Sequence, residues 1–330
     1  MLIKQFRSSY HLQYLFLVVL AAGLWIRPFF TSCDWVNAGP ESPLFQLLYA
    51  IIPAESLLLA VMGFVLLIFQ SLYLNYILIK HEVVSKNTLI TAFIYVLVMS
   101  QSLPALGLNP VLCAALFVIA ALDRILCTYG KPDPTRDVFS AALLLSLASL
   151  FYFPAAFFML ILFLSFIVFG TFSLRIFFVA VTGILTVYLY LFFYYFLMDE
   201  LAGQWCRYIN WFAHIPEFNT SMPLIQFGVW AMTLSFFLDA FFFGATRMNE
   251  WNIKFRKMIL LSIYFVFIGL GSMIYLGNDL EIGVMMMGIP VTIFIAGYLS
   301  IKRKVSWFQE IYLLSWYLLI LVNNLLTAEC

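Results

Sequence analysis

The sequence predicts an all-α protein, a polytopic transmembrane bundle of about eleven spans with its N-terminus inside and its C-terminus outside. Three observations predict it. The 330-residue chain is 65% hydrophobic and only 10% charged, where a soluble domain needs about 25% charged residues to cover its surface. Apolar runs long enough to cross a bilayer recur from end to end. The basic residues fall almost wholly in alternate loops. No polar stretch is long enough to hold a soluble domain, so residues 1–330 read as a single membrane domain. The net charge of +1 offers no field for nucleic acid.

About 20 apolar residues at 1.5 Å each cross a core of about 30 Å. Runs at 12–30, 56–79, 109–127, 176–198, 223–244, 258–276, 282–301 and 307–326 meet that length. Shorter runs lie at 89–103, 138–153 and 154–170. These do not comfortably cross alone; they sit inside the bundle, thin the bilayer, or have polar ends that continue the helix. The basic N-terminal start before the first run resembles a signal peptide, but Arg27-Pro28 follows it in place of a small-residue cleavage site. It reads as an uncleaved first span.

Charge sets the parity. With eleven spans the inside loops hold Lys4, Arg7, Lys80, Lys86, Arg124, Lys131, Arg136, Arg175, Arg247, Lys254, Arg256, Lys257, Lys302, Arg303 and Lys304. Only Arg27 and Arg207 remain outside, among Asp34, Glu41, Glu55, Asp199, Glu200, Glu217, Asp279 and Glu281. Merging 138–153 with 154–170 would turn the basic loops at 247–257 and 302–304 outward, against the positive-inside rule. A tight outer hairpin at 152–154 is therefore expected, with Pro154 starting the returning helix.

Two outer segments are long, 31–55 and 199–222. In the first, Leu44–Ile52 is too short to span and reads as a helix lying on the membrane surface or re-entering it slightly. In the second, Trp205, Tyr208, Trp211 and Phe212 recur at helical spacing, as an interfacial aromatic face does. Cys33 and Cys206 share this side and either pair or remain free thiols; no CxxC pair suggests a zinc site.

Candidate chemistry gathers on the outer face. Asp34, Glu41, Asp199 and Glu200 are carboxylates that can act as bases or grip a diphosphate through a divalent cation. Arg27 and Arg207, placed against the orientation rule, suit an anionic partner such as a lipid phosphate. Trp205 and Trp211 can stack on sugar rings, and His214 can move a proton. The bland alternatives are a solvated acidic rim and an aromatic belt. Within spans, polar residues are few: Gln70, Gln101, Asp239, Asn323 and Asn324. Asp239 lies near the inner end, where pairing with a basic residue is the simplest account. No chain of central carboxylates supports a proton pump. Nucleotide, zincin and serine-hydrolase motifs are absent, and no cofactor or resident metal is indicated.

The stretches PALGLNPVLCAALFVIAALDRILCTY (104–129), FSAALLLSLASLFYFPAAFFMLILFL (139–164) and LRIFFVAVTGILTVYLYLFFYYFLMDEL (174–201) resemble an uncharacterised family of polytopic inner-membrane proteins of Bacteroidetes. The layout is also similar to membrane glycosyltransferases that use polyprenyl-linked sugars. That resemblance implies a first-loop carboxylate as catalytic base, here Asp34, although the paired acidic motif of that class is missing. The expected function is cell-envelope biogenesis in the bacterial inner membrane, by sugar transfer or polymerisation on a polyprenyl-linked glycan. The alternatives are a non-catalytic subunit of a membrane protein complex, and a transporter or flippase. The bilayer is the expected partner throughout.

Overall fold

The computed structural model describes residues 2–7, 10–30, 42–51, 56–85, 87–102, 106–213, 223–246, 253–274, 280–301 and 307–326. Among these, regular structure is helical. The helices are α1 Leu2–Phe6, α2 His11–Leu24, α3 Ile26–Phe30, α4 Pro43–Ile51, α5 Ser56–Lys80, α6 Ile90–Met99, α7 Pro110–Cys127 and α8 Thr135–Phe151. After a 3₁₀ turn at Phe153–Phe158 come α9 Met159–Phe169, α10 Leu174–Leu197, α11 Leu201–Ala213 and α12 Leu224–Thr246. The last four are α13 Ile253–Ile274, α14 Leu280–Met286, α15 Gly288–Ile301 and α16 Trp307–Leu326. Four segments, Leu57–Lys80, Pro110–Cys127, Leu174–Leu197 and Leu224–Thr246, are long and apolar enough to cross a membrane. His11–Leu24, Ile90–Met99, Phe153–Phe169 and Gly288–Ser300 are apolar but shorter. The chain is a membrane protein.

Side-chain pairings give the direction of each long element. Phe6 stacks on Phe93, and Trp25 Nε1 donates to Ser100 Oγ at 3.0 Å, so α2 and α6 run together. α5 runs against α6, because Asn75 meets the Thr88 carbonyl and Gln70 meets Tyr95. α7 follows α5, with Gln70 on the Leu112 carbonyl and Lys80 on Asp123. α8 returns, stacking Phe151 on Phe117 and pairing Asp137 with Lys131. Tyr129 meets Phe169, so α9 descends beside α7. α10 runs with α8, through Ser149–Tyr188 at 2.8 Å. α13 opposes α9, with Lys257 donating to the Phe169 carbonyl and Phe158 against Phe265. α12 and α15 run together through Phe237–Phe294 and Phe243–Tyr298. α16 opposes α12, through Phe236–Trp316 and Gln226–Asn323.

Successive long elements thus alternate, and the chain reverses between α8 and α9, where the sequence places its hairpin. One end of the bundle is basic, gathering Arg7, Lys80, Lys131, Arg175 and Lys257. Of the described basic residues only Arg27 and Arg207 fall at the other end, called here the amide end for Gln101, Gln226, Asn323 and Asn324.

Two apolar runs expected as continuous are broken. Run 12–30 breaks at Trp25 between α2 and α3, and run 282–301 breaks at Met287 between α14 and α15. Each break lies three residues before a proline, Pro28 and Pro290, whose ring displaces the carbonyl four residues back. The carbonyl that Pro28 releases, that of Leu24, takes the Asn324 amide at 3.3 Å. At α9 the stop is Gly170 with φ +70°. Its own N–H reaches the Ile167 carbonyl, and that of Thr171 reaches Phe166, a left-handed cap that closes the helix.

α6 is the axis of the fold. All ten residues from Ile90 to Met99 are buried, and ten residues rise only about 15 Å. This short run therefore lies inside the bundle. Its buried ends must be satisfied by protein. At the basic end Leu89 N donates to the Phe6 carbonyl at 2.7 Å, Thr88 Oγ1 to the same carbonyl at 3.0 Å, and Asn75 Nδ2 to the Thr88 carbonyl at 3.0 Å. At the amide end Asn324 Nδ2 donates to the Ser100 carbonyl at 3.0 Å and Asn323 Nδ2 to the Gln101 carbonyl at 3.2 Å. α15 approaches α6 at Gly288, where a Cβ would stand 2.7 Å from Met99 Sδ.

Asn324→Leu removes the donor to two buried carbonyls, those of Leu24 and Ser100. The expected loss is about 1–3 kcal/mol for each carbonyl left unpaired, read as a lower unfolding temperature in detergent. An unchanged melting curve would contradict the capping role.

Candidate functional site: a groove at the amide end

The site begins with how α10 ends. Asp199 adopts φ +58°, a conformation Asp tolerates better than most residues. Asp199 N then reaches the Phe196 carbonyl at 3.3 Å and Glu200 N the Tyr195 carbonyl at 3.1 Å, the two bonds of a Schellman turn. The turn stops α10 and starts α11 one residue after Glu200. α11 lays Leu201, Gln204 and Tyr208 inward at a spacing of three and four. Tyr208 packs on Phe153, ring centroids 5.1 Å apart, and is hydrogen-bonded to Tyr195.

Between this turn, α4, α8 and α10 lies a groove of about 600 Å³. Leu44 and Leu47 of α4, Leu147 and Leu150 of α8 and Val187 and Leu191 of α10 make its apolar sides. Gln46, Tyr190, Tyr194, Glu200 and Gln204 bring polar atoms to it. Gln204 is buried, and its Oε1 has no hydrogen-bond partner among the described residues. A volume within the usual range for ligand pockets, mostly apolar walls and a few convergent polar groups are the marks of a small-molecule site. α4 forms over the short run after Pro43, and Phe45 anchors it against Leu59, Leu108 and Cys113.

The structure separates the sequence candidates. Glu200 lines the groove, and both it and Arg207 lie close enough to the Tyr195 hydroxyl to act on it electrostatically. Asp199 shapes the turn and is exposed. Trp205 points outward at 66% exposure, so the expected aromatic face divides, with Tyr208 inward. Trp211 is on α11, but its side chain lies outside the described residues, as do Asp34, Glu41, His214 and Cys33. Arg27 is half-buried with Nη1 3.5 Å from the Asn324 carbonyl, at the end of α16, where a cation meets unpaired carbonyls. Cys206 is exposed and free. Asp239 is exposed on α12 and makes no ion pair among the described residues. Sequence reading missed Gln204 because a lone glutamine in an outer segment carries no motif.

A second polar cluster lies at the basic end. Lys80 Nζ is 2.8 and 2.9 Å from the two Asp123 oxygens, and His81 Nε2 is 2.9 Å from Oδ1. Cys127 Sγ is 4.0 Å from the same Nε2. Asp123 and Cys127 share a face of α7 through their spacing of four, the one signal in the sequence that could have joined them. One donor atom each from His81, Asp123 and Cys127 lies within 4.8 Å of the others. A thiol–imidazole–carboxylate relay needs the two partners on different ring nitrogens; here both face Nε2. A resident cation would meet the Lys80 ammonium on both carboxylate oxygens. The cluster therefore acts as an ionic clamp between α5 and α7. Arg124 and Lys131 hold Asp137 in the same way, and Arg175 lies 3.7 Å from Asp133. Hydrogen bonds from Thr135 hold the exposed Asp133 carboxyl below the usual carboxylate range.

Asp123→Asn leaves Lys80 without its counter-charge and His81 without its carboxylate partner. The expected cost is about 3 kcal/mol, the low end for a broken buried pair because Lys80 reaches solvent. Unfolding in detergent reads it. Added Zn²⁺ should leave wild-type unfolding unchanged; a rise would indicate a metal site instead.

No curated protein and no solved structure matches the chain. Residues 44–327, from α4 to the end of α16, match a protein family described as a family of unknown function, DUF6427, and the chain belongs to that family.

Proposed function

We propose that this is an inner-membrane protein of the bacterial cell envelope that binds a lipid-linked sugar in the groove beside Glu200 and acts on it as a glycosyltransferase or polymerase. The groove carries this reading: apolar walls for a polyprenyl chain, with carboxylate, carboxamide and phenol groups at one end for a polar head. Glu200 accepts hydrogen bonds from sugar hydroxyls, and Gln204 offers an unpaired buried oxygen. Arg207, beside the same turn, suits a diphosphate. In this reading Asp34 is the base that deprotonates the acceptor hydroxyl, and Glu41 belongs to the same outer segment of the sequence. That α6, at the centre of the described residues, is fully buried and largely apolar weighs against a transporter.

The proposal includes orientation. Alternating helices and the segregation of described basic residues to one end support eleven crossings with that end in the cytoplasm. A membrane-impermeant maleimide should then label Cys206 in intact spheroplasts, whereas a cysteine placed at Arg175 should label only after permeabilisation. The reverse pattern would overturn the orientation.

For the groove, Leu47→Trp fills the apolar part and Glu200→Gln removes the charge. Each should weaken binding of a polyprenyl-diphosphate sugar to the protein in nanodiscs by about tenfold, which corresponds to about 1.4 kcal/mol. Undiminished binding in Leu47→Trp would remove the groove from the function. Unaltered envelope glycans in cells lacking the protein would favour a non-catalytic subunit.

A further inference from the structure

A separate groove of about 430 Å³ opens on the side of the bundle between α6, α12, α13 and the α14–α15 break. Phe227, Trp230, Leu234 and Phe237 line one face of α12, a length of about 15 Å along the helix at 1.5 Å per residue. Phe227 and Leu234 are exposed, so the groove continues into the lipid-facing surface. Gly288, packed against Met99 and Val98, forms part of its lining.

One feature is foreign to an apolar wall. Gln101 lines the groove near the amide end and is 3% exposed, yet among the described residues neither Nε2 nor Oε1 has a hydrogen-bond partner. Its neighbours are satisfied: Thr233 donates to the Val229 carbonyl, and Asn323 holds the Gln101 backbone carbonyl. A buried carboxamide with both atoms unpaired is costly. A ligand that relieves it must present one acceptor and one donor together. An ester presents only acceptors. A hydroxyl or an undissociated carboxyl presents both.

We propose that this groove binds a single-chain membrane amphiphile, a long-chain alcohol or fatty acid, with its hydrocarbon along α12 and its hydroxyl or carboxyl hydrogen-bonded to the Gln101 carboxamide. The inference does not depend on the groove at Glu200.

Trp230 makes the test direct. The full chain in detergent micelles is titrated with dibrominated stearyl alcohol, dibrominated stearic acid and the methyl ester of that acid. The Trp230 signal is the fluorescence lost in Trp230→Phe. Quenching of this signal should saturate with the alcohol or the acid. In Gln101→Leu, affinity for the quenching ligand should fall about five- to tenfold, the worth of one or two hydrogen bonds, while the ester binds equally weakly to both proteins. Alcohol and acid together distinguish a neutral hydroxyl from a carboxyl: binding of the acid that vanishes at high pH assigns the undissociated form. Should Gln101→Leu misfold, Leu234→Trp occludes the groove and must abolish saturable quenching of the remaining signal. Non-saturable quenching, or identical affinity in Gln101→Leu, overturns the proposal. So does an ester that binds as tightly as the alcohol.

Discussion

A helix too short to reach either surface governs this fold. α6 is buried on every side, so neither water nor lipid headgroups reach its terminal N–H and C=O groups. In hydrocarbon an unmet backbone group is costly enough to forbid the structure. The chain meets the demand with donors drawn from far along the sequence. α1 and Asn75 serve one end; Asn323 and Asn324, at the end of the last helix, serve the other. The first and last helices are thereby held to the third run, and the bundle closes around it. Pro28 contributes as well: by breaking the first helix it exposes the Leu24 carbonyl that Asn324 then shares.

The basic end works by a different principle. Its described cations gather at one end of the bundle, and the few acids among them become clamps. Asp123 joins α5 to α7, and Asp137 joins the two helices of the next hairpin. Charge that sets topology in the sequence therefore also sets packing in the structure. The amide end has few cations among its described residues, and its helix ends are held by neutral hydrogen bonds and aromatic contacts. That end carries the groove beside Glu200.

Much of the architecture was legible in the sequence. Alternating direction follows from hydropathy and loop charge, and the reversal near Pro154 follows from parity. The short helix that starts at Pro43 follows from an apolar run too short to span. The breaks at Trp25 and Met287 were not read, although Pro28 and Pro290 were visible, because prolines are common in membrane helices and only packing shows which one interrupts. The site was legible in part. Glu200 stood out as a charge at a span end. Gln204 and Gln101 did not, since a glutamine becomes informative only when its surroundings deny it a partner. His81 and Cys127 lie 46 residues apart, and only the parallel course of α5 and α7 joins them.

The side opening of the α12 groove changes what affinity means there. A hydrocarbon chain moving from bilayer to groove exchanges one apolar medium for another, so the hydrophobic effect favours neither. Discrimination falls to shape and to one carboxamide. Occupancy then follows the mole fraction of the amphiphile within the membrane rather than its aqueous concentration, and a site of this kind responds to lipid composition itself.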